Sequence, residues 1–249
     1  MTDSDYQLAA SRLAAARRVT VLTGAGVSAA SGVPTFRGAG GLWRQFKPED
    51  LATASAFSRD PTLVWEWYDW RRSIVARCEP NRAHHVLAEW SRRFPTFDLL
   101  TQNVDGLQER AGTENVTRLH GSIWTLRCWK DCGARPWQDD RVPLAPLPPL
   151  CPTCGGLARP GVVWFGESLD PHDVSQADEA SGCDVFLVAG TSSVVYPAAG
   201  LASVAHAGGA FVIEINPEAT PVSGTVDVSL RAAAEIALDE LNERLTRPS

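Results

Sequence analysis

Residues Val19–Trp43 read VTVLTGAGVSAASGVPTFRGAGGLW, and this stretch decides the fold. A β-branched run, Val19–Thr23, predicts a buried strand. Gly24, Gly26 and Ala29 follow at once and fit G-x-G-x-x-G/A. Small residues there let a backbone approach a pyrophosphate, which the N-terminus of the next helix would hold. An ordinary dinucleotide fold would run that helix into a second strand ending in an acid about twenty residues on. Here Gly32-Val33-Pro34 stops the helix early, and a loop carries Thr35, Phe36, Arg37 and more glycines. That order predicts a nucleotide that is consumed beneath a closing flap. Taken alone, the glycine pattern is equally the mark of a structural turn.

Composition narrows the classes. The chain has 249 residues, enough for one large domain or one domain with a small insert. A hydrophobic fraction of 44% excludes a mainly disordered chain. Net charge is −6 with the two signs interspersed, which argues against a non-specific nucleic-acid binder but not against a basic protein substrate. No apolar run is long enough to span a bilayer, so no membrane partner is expected. The first residues, MTDSDYQLAASRLAAARR, carry early acids and no apolar core, so they read as an amphipathic helix and not a secretory signal. A cytoplasmic, reducing location is the expectation.

Apolar runs at Val19–Thr23, Phe97–Leu100, Val185–Ala189 and Phe211–Ile215 predict strands. Helical patterns lie at Asp5–Arg17, Pro61–Cys78, Arg82–Arg93, Pro197–His206 and Ala232–Leu245. This alternation predicts a doubly wound, Rossmann-like parallel α/β sheet, formed by 1–121 and 161–249. Residues 122–160 break the pattern with Cys, Trp and the run PLAPLPP, which fits neither a helix nor a central strand. Such an insert needs its own source of stability. Cys128 and Cys132 are separated by three residues and Cys151 and Cys154 by two, with 133–150 between the pairs. Paired cysteines at this separation in a reducing compartment read as one four-thiolate zinc site, against two disulfides or four unrelated buried thiols. Four thiolates leave no open position, so the metal is expected to be structural. Cys78 and Cys183 read as buried apolar residues.

Polar residues gather after the strands. Gln102, Asn103, Val104 and Asp105 follow Phe97–Leu100, at the carboxyl edge where open α/β sheets bind ligands. Asp105 equally suits a helix N-cap. His120 is followed by Gly121, which leaves room for a ligand, though a lone histidine is more often a packing residue. Gly190-Thr191-Ser192 and Asn216-Pro217-Glu218 close the next two strands. Four such loops at one sheet edge make a site.

Together GAGVSAASGVPTFR, TQNVDGL, LHGS, the paired cysteines, VVWFGE and GTSSVVYP resemble the sirtuins, the NAD-dependent protein lysine deacylases. The resemblance keeps motif order over nearly the whole chain. It implies a Rossmann-type domain and a small zinc ribbon, with NAD and an acylated lysine protein or peptide meeting between them. On the matching positions, Gly24, Ala25, Gly26, Ser28, Ala29, Thr35, Phe36, Arg37 and Trp43 would line the NAD site. Gln102, Asn103, Val104 and Asp105 would hold the nicotinamide side. Gly190, Thr191, Ser192, Asn216, Pro217 and Glu218 would contact phosphates and adenosine, with Ala234 near the adenine. The resemblance makes His120 the general base, and has Val162, Val163, Trp164 and Phe165 pair their backbone with the substrate peptide. It also implies that the acyl oxygen attacks the anomeric carbon of NAD as nicotinamide leaves, ending in free lysine and O-acyl-ADP-ribose. Two positions depart from the pattern: Ala30 stands where many relatives carry glutamate, and Gly161 where close relatives often carry histidine.

Tyr68 and Arg71 lie at i and i+3 in Trp67-Tyr68-Asp69-Trp70-Arg71, on one helical face. A phenol beside a guanidinium makes a carboxylate receptor, although a core tyrosine and a surface arginine would give the same spacing. The helix resembles the class III sirtuins, whose Tyr-x-x-Arg pair selects succinyl- and malonyl-lysine. Ala52 matches the small residue that widens their acyl pocket, which also admits acetyl. Rival readings are a mono-ADP-ribosyltransferase using the same site, a non-catalytic zinc-ribbon binding module, and, weakest, an oxidoreductase.

Overall fold

The structure is a computed structural model that describes residues 3–36, 41–42 and 47–246. Arg37 and Trp43, both expected at the nucleotide, lie outside the described residues.

The chain begins with helix α1 (Asp3–Ala15) and strand β1 (Arg18–Thr23), followed by a 3₁₀ helix over Ala25–Ser31. Three helices follow: α2 (Pro48–Leu51), α3 (Ala54–Arg59) and α4 (Pro61–Val75). Then come α5 (Arg82–Arg93), β2 (Thr96–Thr101), α6 (Leu107–Arg110) and β3 (Val116–Arg118). Strands β4 (Gly121–Cys128), β5 (Trp137–Gln138) and β6 (Ala158–Val162) precede α7 (Pro171–Ala180). The chain finishes with β7 (Val185–Ala189), α8 (Leu201–Ala207), β8 (Phe211–Ile215), β9 (Val228–Leu230) and α9 (Ala234–Thr246).

Six strands form one sheet in the order β3-β2-β1-β7-β8-β9, and every pair in it is parallel. The strands are apolar throughout because both faces are covered. Val19, Val21, Leu187 and Ile213 face a core shared with α1, α5 and α9, built on Leu13, Leu87, Trp90 and Leu238. Their alternates Leu22, Phe186, Val188 and Val212 meet Ala177, Leu201 and Ala205 from α7 and α8 on the other face. The chain turns from β1 outward through β2 and β3, then returns to start again at β7. The reversal therefore lies between β1 and β7, where ligands bind in open α/β sheets.

A third core joins α3 and α4 to a small antiparallel sheet, β5-β4-β6, through Phe57, Trp65, Ile123, Leu126, Leu144 and Trp164. One face of α4 is fastened to that sheet at i, i+4 and i+7 spacing. Trp65 donates its indole N–H to Ala158 O at 2.8 Å, and Asp69 Oδ1 accepts from Leu144 N at 2.7 Å. Arg72, fully buried, donates to the carbonyls of Ile123 (2.7 Å), Asp139 (2.6 Å) and Arg141 (2.9 Å). A guanidinium placed in this fork geometry spreads its charge over three carbonyl acceptors, which makes its burial tolerable.

The four cysteines of the insert converge, with all four sulfurs within 4.8 Å of one another. Cys128 and Cys154 Sγ are 3.6 Å apart and Cys132 and Cys151 Sγ 3.7 Å. Those gaps are far beyond a disulfide bond and match the edge of a ZnS₄ tetrahedron, about 3.8 Å for Zn–S near 2.3 Å. The cluster fits one structural zinc. Among the described residues no helix is long and apolar enough to cross a membrane.

Three expectations shift. The helix after β1 is a seven-residue 3₁₀ turn, ended by Gly32 at φ 87°, so little helix dipole backs the glycine loop. Helices predicted through Arg17 and Cys78 end at Ala15 and Val75. Pro197–His206 opens as a short 3₁₀ turn, Ala198–Gly200, before α8 begins.

Zinc analysis of the purified protein should return one metal per chain. Cys151→Ser or strong chelation should remove it and lower the thermal midpoint, because in so small an insert metal binding is folding energy. Metal-free protein with an unchanged midpoint would contradict this.

Candidate active site

The loops after β1 and β7 cross at the reversal point. Gly24 N donates to Ala189 O at 3.0 Å and Gly26 N to Gly190 O at 2.8 Å. A Cβ at Gly26 would stand 2.8 Å from Gly190 Cα, and one at Gly190 (φ +60°) would stand 2.5 Å from Val27 N. The glycines are therefore demanded by the contact of the two loops, whether or not a phosphate is present.

Beside this crossing opens a cavity of about 810 Å³. It gathers Gly24, Ala25, Gly26, Ala29, Thr35 and Phe36 from the loop after β1, Gln102, Asn103 and Val104 from the loop after β2, and His120 from the turn between β3 and β4. Gly190, Thr191 and Ser192, then Asn216, Pro217, Glu218 and Ala234, complete the wall at this end. Gln102 Nε2 donates to Thr191 Oγ1 at 2.9 Å and Asn216 Nδ2 to Thr191 O at 2.8 Å, so three strand-end loops are tied together. Ala52, Tyr68, Arg71 and Val162–Phe165 line the other end. Ser28 and Asp105 do not line the cavity and sit behind its wall.

That buried layer is fully directional. Asn81 N–H donates to His84 Nδ1 at 3.1 Å, so the other ring nitrogen carries the proton and donates to Ser28 Oγ at 3.3 Å. Ser28 Oγ donates in turn to Asp105 Oδ2 at 2.8 Å, while Leu107 N donates to Oδ1 at 2.9 Å. Asn103 Nδ2 reaches Gly24 O at 3.1 Å and Ser28 Oγ at 3.2 Å. Burial pushes His84 down to about 4, keeping it neutral, and pushes the Asp105 carboxyl up. Sequence reading missed His84. Its signal was the capping box at the start of α5, in which Asn81 and His84 serve each other's backbone.

His120 Nδ1 lies 3.2 Å from Gln102 O. A carbonyl only accepts, so Nδ1 holds the proton and Nε2 is left as a base. Burial lowers the His120 pKa, with the bond to Gln102 opposing, so the ring is neutral near pH 7.

The segment expected to pair with a peptide is partly spent. Val163 N donates to His120 O at 3.0 Å, Phe165 N to Ala52 O at 3.0 Å, and Trp164 N to Glu167 Oε2 at 2.8 Å. An added strand meets none of these three donors. Phe165, 44% exposed, instead presents its ring at the rim.

At the far end α4 turns a second face to the cavity. Tyr68 and Arg71 are buried there. The Arg71 guanidinium lies 4.5 Å from the Phe36 ring centroid and 5.1 Å from that of Trp67. Among the described residues no carboxylate comes within 4.0 Å of it. Burial lowers the Arg71 pKa, but a guanidinium stays charged at neutral pH. Tyr68 is pushed up to about 12, mainly by burial, and so keeps its proton.

The model of the Sir2 family matches residues 24–197. An NAD-dependent protein deacylase of Aquifex aeolicus is 52% identical over 228 residues, covering 91% of this chain and 95% of the relative. The solved structure of a Sir2 homologue–NAD complex shares 45% identity and superposes with a TM-score of 0.90, covering 96% of this chain and 93% of that one. A mutant Sir2 homologue with 2′-O-acetyl-ADP-ribose gives the same TM-score at 45% identity, over 98% and 96% of the two chains. With the cavity at the sheet reversal and a four-cysteine cluster in the insert, the likeness runs nearly end to end, and the chain belongs to the Sir2 family, an NAD-dependent protein deacylase that takes NAD as co-substrate.

Proposed function

We propose that this deacylase acts by preference on lysines carrying acidic acyl groups, succinyl and malonyl, with acetyl as a lesser substrate. One observation carries the reading: a buried guanidinium, Arg71, faces the cavity beside a buried phenol, and among the described residues no carboxylate lies within 4.0 Å of it, Asp105 acting on it only from farther off. A buried cation without a partner is costly, and a substrate carboxylate would supply both the charge and the hydrogen-bond acceptors. Ala52, small and buried, leaves space beside the pair.

NAD, when bound, offers the ribose carbon that the acyl oxygen attacks as nicotinamide leaves. The loops at Gly24–Phe36, Gln102–Asp105, Gly190–Ser192 and Asn216–Glu218, with Ala234, would hold it. Asn103, held by the Ser28–His84 layer that Asp105 braces from behind the wall, would meet the reacting ribose without reorganisation. His120, through Nε2, would take the proton of a ribose hydroxyl. A protein or peptide substrate would lie along Val162–Phe165, donating its own N–H groups to the rim. In this reading 1–121 and 161–249 form the Rossmann-like body, and 122–160 the zinc ribbon.

His120→Ala should keep the fold and lower turnover by roughly a hundred- to ten-thousandfold. In wild type the acid limb of kcat/KM should lie below pH 6.5: the His120 pKa is depressed, so the base is lost only at pH values beneath the ordinary histidine range. Near-normal deacylation by the variant, or a limb above that range, would refute the assignment.

The acyl preference is read from a ratio, because general damage lowers all activities together. Succinyl-, malonyl- and acetyl-lysine forms of one peptide should show that Arg71→Met lowers the succinyl-to-acetyl ratio of kcat/KM about ten- to a hundredfold. That is the loss of a charge-assisted hydrogen bond worth roughly 1.5–3 kcal/mol. An unchanged ratio would make Arg71 a packing residue.

A further inference from the structure

Tyr68 forms half of the proposed carboxylate receptor, yet a phenol can either accept or donate, and only a donor helps to bind a carboxylate. Trp164 resolves this. Its indole Nε1 lies 3.0 Å from Tyr68 Oη, and both side chains are buried. An indole nitrogen has a hydrogen and no available lone pair, so it can only donate. Tyr68 must accept from it, and its own hydrogen is left for another partner. Among the described residues no acceptor takes that hydrogen. Burial also holds the phenol protonated, so the hydrogen is present at any physiological pH.

The indole is itself held on two sides. The Arg159 guanidinium stacks 3.4 Å from the Trp164 ring centroid, and Glu167 Oε2 accepts from the Trp164 backbone at 2.8 Å. Arg159 and Glu167 form an ion pair, and Arg159 also donates to Val162 O at 2.9 Å. This lattice, buried at Arg159 and Trp164 and partly exposed at Glu167, fixes where the indole N–H points, independently of any substrate.

We propose that Trp164 is a positioning residue for acyl specificity: its indole N–H occupies the acceptor side of the Tyr68 hydroxyl and turns the O–H toward the cavity, so the pocket offers a donor beside Arg71. The inference rests on the acidic-acyl reading and adds the group that sets the polarity of the phenol. It places specificity in a side chain that need not touch the acyl carboxylate at all.

A double-mutant cycle tests it, read as the succinyl-to-acetyl ratio of kcat/KM on one peptide for wild type, Trp164→Phe, Tyr68→Phe and the double variant. Trp164→Phe should lower the ratio roughly three- to tenfold, the scale of one neutral hydrogen bond. In the Tyr68→Phe background it should leave the ratio where Tyr68→Phe alone put it, since no hydroxyl remains to orient. Because Trp164 packs in a core, a second variant replaces it with 3-benzothienylalanine, which keeps the shape and exchanges the N–H for sulfur. It should reproduce the Trp164→Phe ratio. An equal fall with and without the Tyr68 hydroxyl, or no fall in either Trp164 variant, overturns the proposal. If Tyr68→Phe shifts the ratio and Trp164→Phe does not, only this inference fails. Should Tyr68→Phe and Arg71→Met both leave the ratio at the wild-type value, the acidic-acyl reading fails and takes this inference with it.

Discussion

The site depends on one close contact, the crossing of the loops that leave β1 and β7. Gly26 donates to Gly190 O at 2.8 Å, and neither backbone has room for a Cβ at the contact. A methyl group on Gly26 or Gly190 would have to push two parallel strands apart, and β1 and β7 are the central pair of the sheet. Because the loops meet there, Gln102, Thr191 and Asn216, from three different strand ends, fall within hydrogen-bond reach and close one wall of the cavity. Geometry fixed by the sheet is what lets a loop-built site stay preorganised.

Helix α4 carries the second half of the architecture. Trp65, Asp69 and Arg72 bind it to the small sheet, while Tyr68 and Arg71 on the neighbouring face line the cavity. The Asp139 and Arg141 carbonyls that hold Arg72, and the Leu144 amide that holds Asp69, lie between the two cysteine pairs. The metal cluster thus has a physical route to the acyl end without touching it. It orders the chain that anchors the helix. The four-cysteine cluster, which fits a structural zinc, and the acyl end of the cavity are parts of one scaffold.

Long apolar strands were readable because a run such as Val185–Ala189, covered on both faces, admits few alternatives, and its bounds come out as observed. The edge strands Val116–Arg118 and Val228–Leu230 have three residues each, too few for a periodic signal. Helix α7 was missed because PHDVSQADEA buries only Ala177 and Ala180, although Asp170 capping before Pro171 was there to be read. For the insert the cysteine spacing carried most of the information, and for the cavity the strand-end loops did. What sequence could not supply was direction: that Asp105 and Ser28 stand behind the wall, that the backbone donors of Val163–Phe165 are already used, and that Trp164 points at Tyr68. Each depends on which of several possible partners tertiary packing brings near, and spacing along the chain does not encode that.

The proposed acyl preference rests on Arg71, buried and with no carboxylate of the described residues within 4.0 Å, receiving a carboxylate from the substrate. A crystal structure of the protein with ADP-ribose and a succinyl-lysine peptide tests it most directly. The account predicts the distal carboxylate within about 3 Å of the Arg71 guanidinium, accepting as well from the Tyr68 hydroxyl. A succinyl group whose carboxylate turns to solvent, with Arg71 still stacked on Phe36 and Trp67 and unpaired, would contradict it.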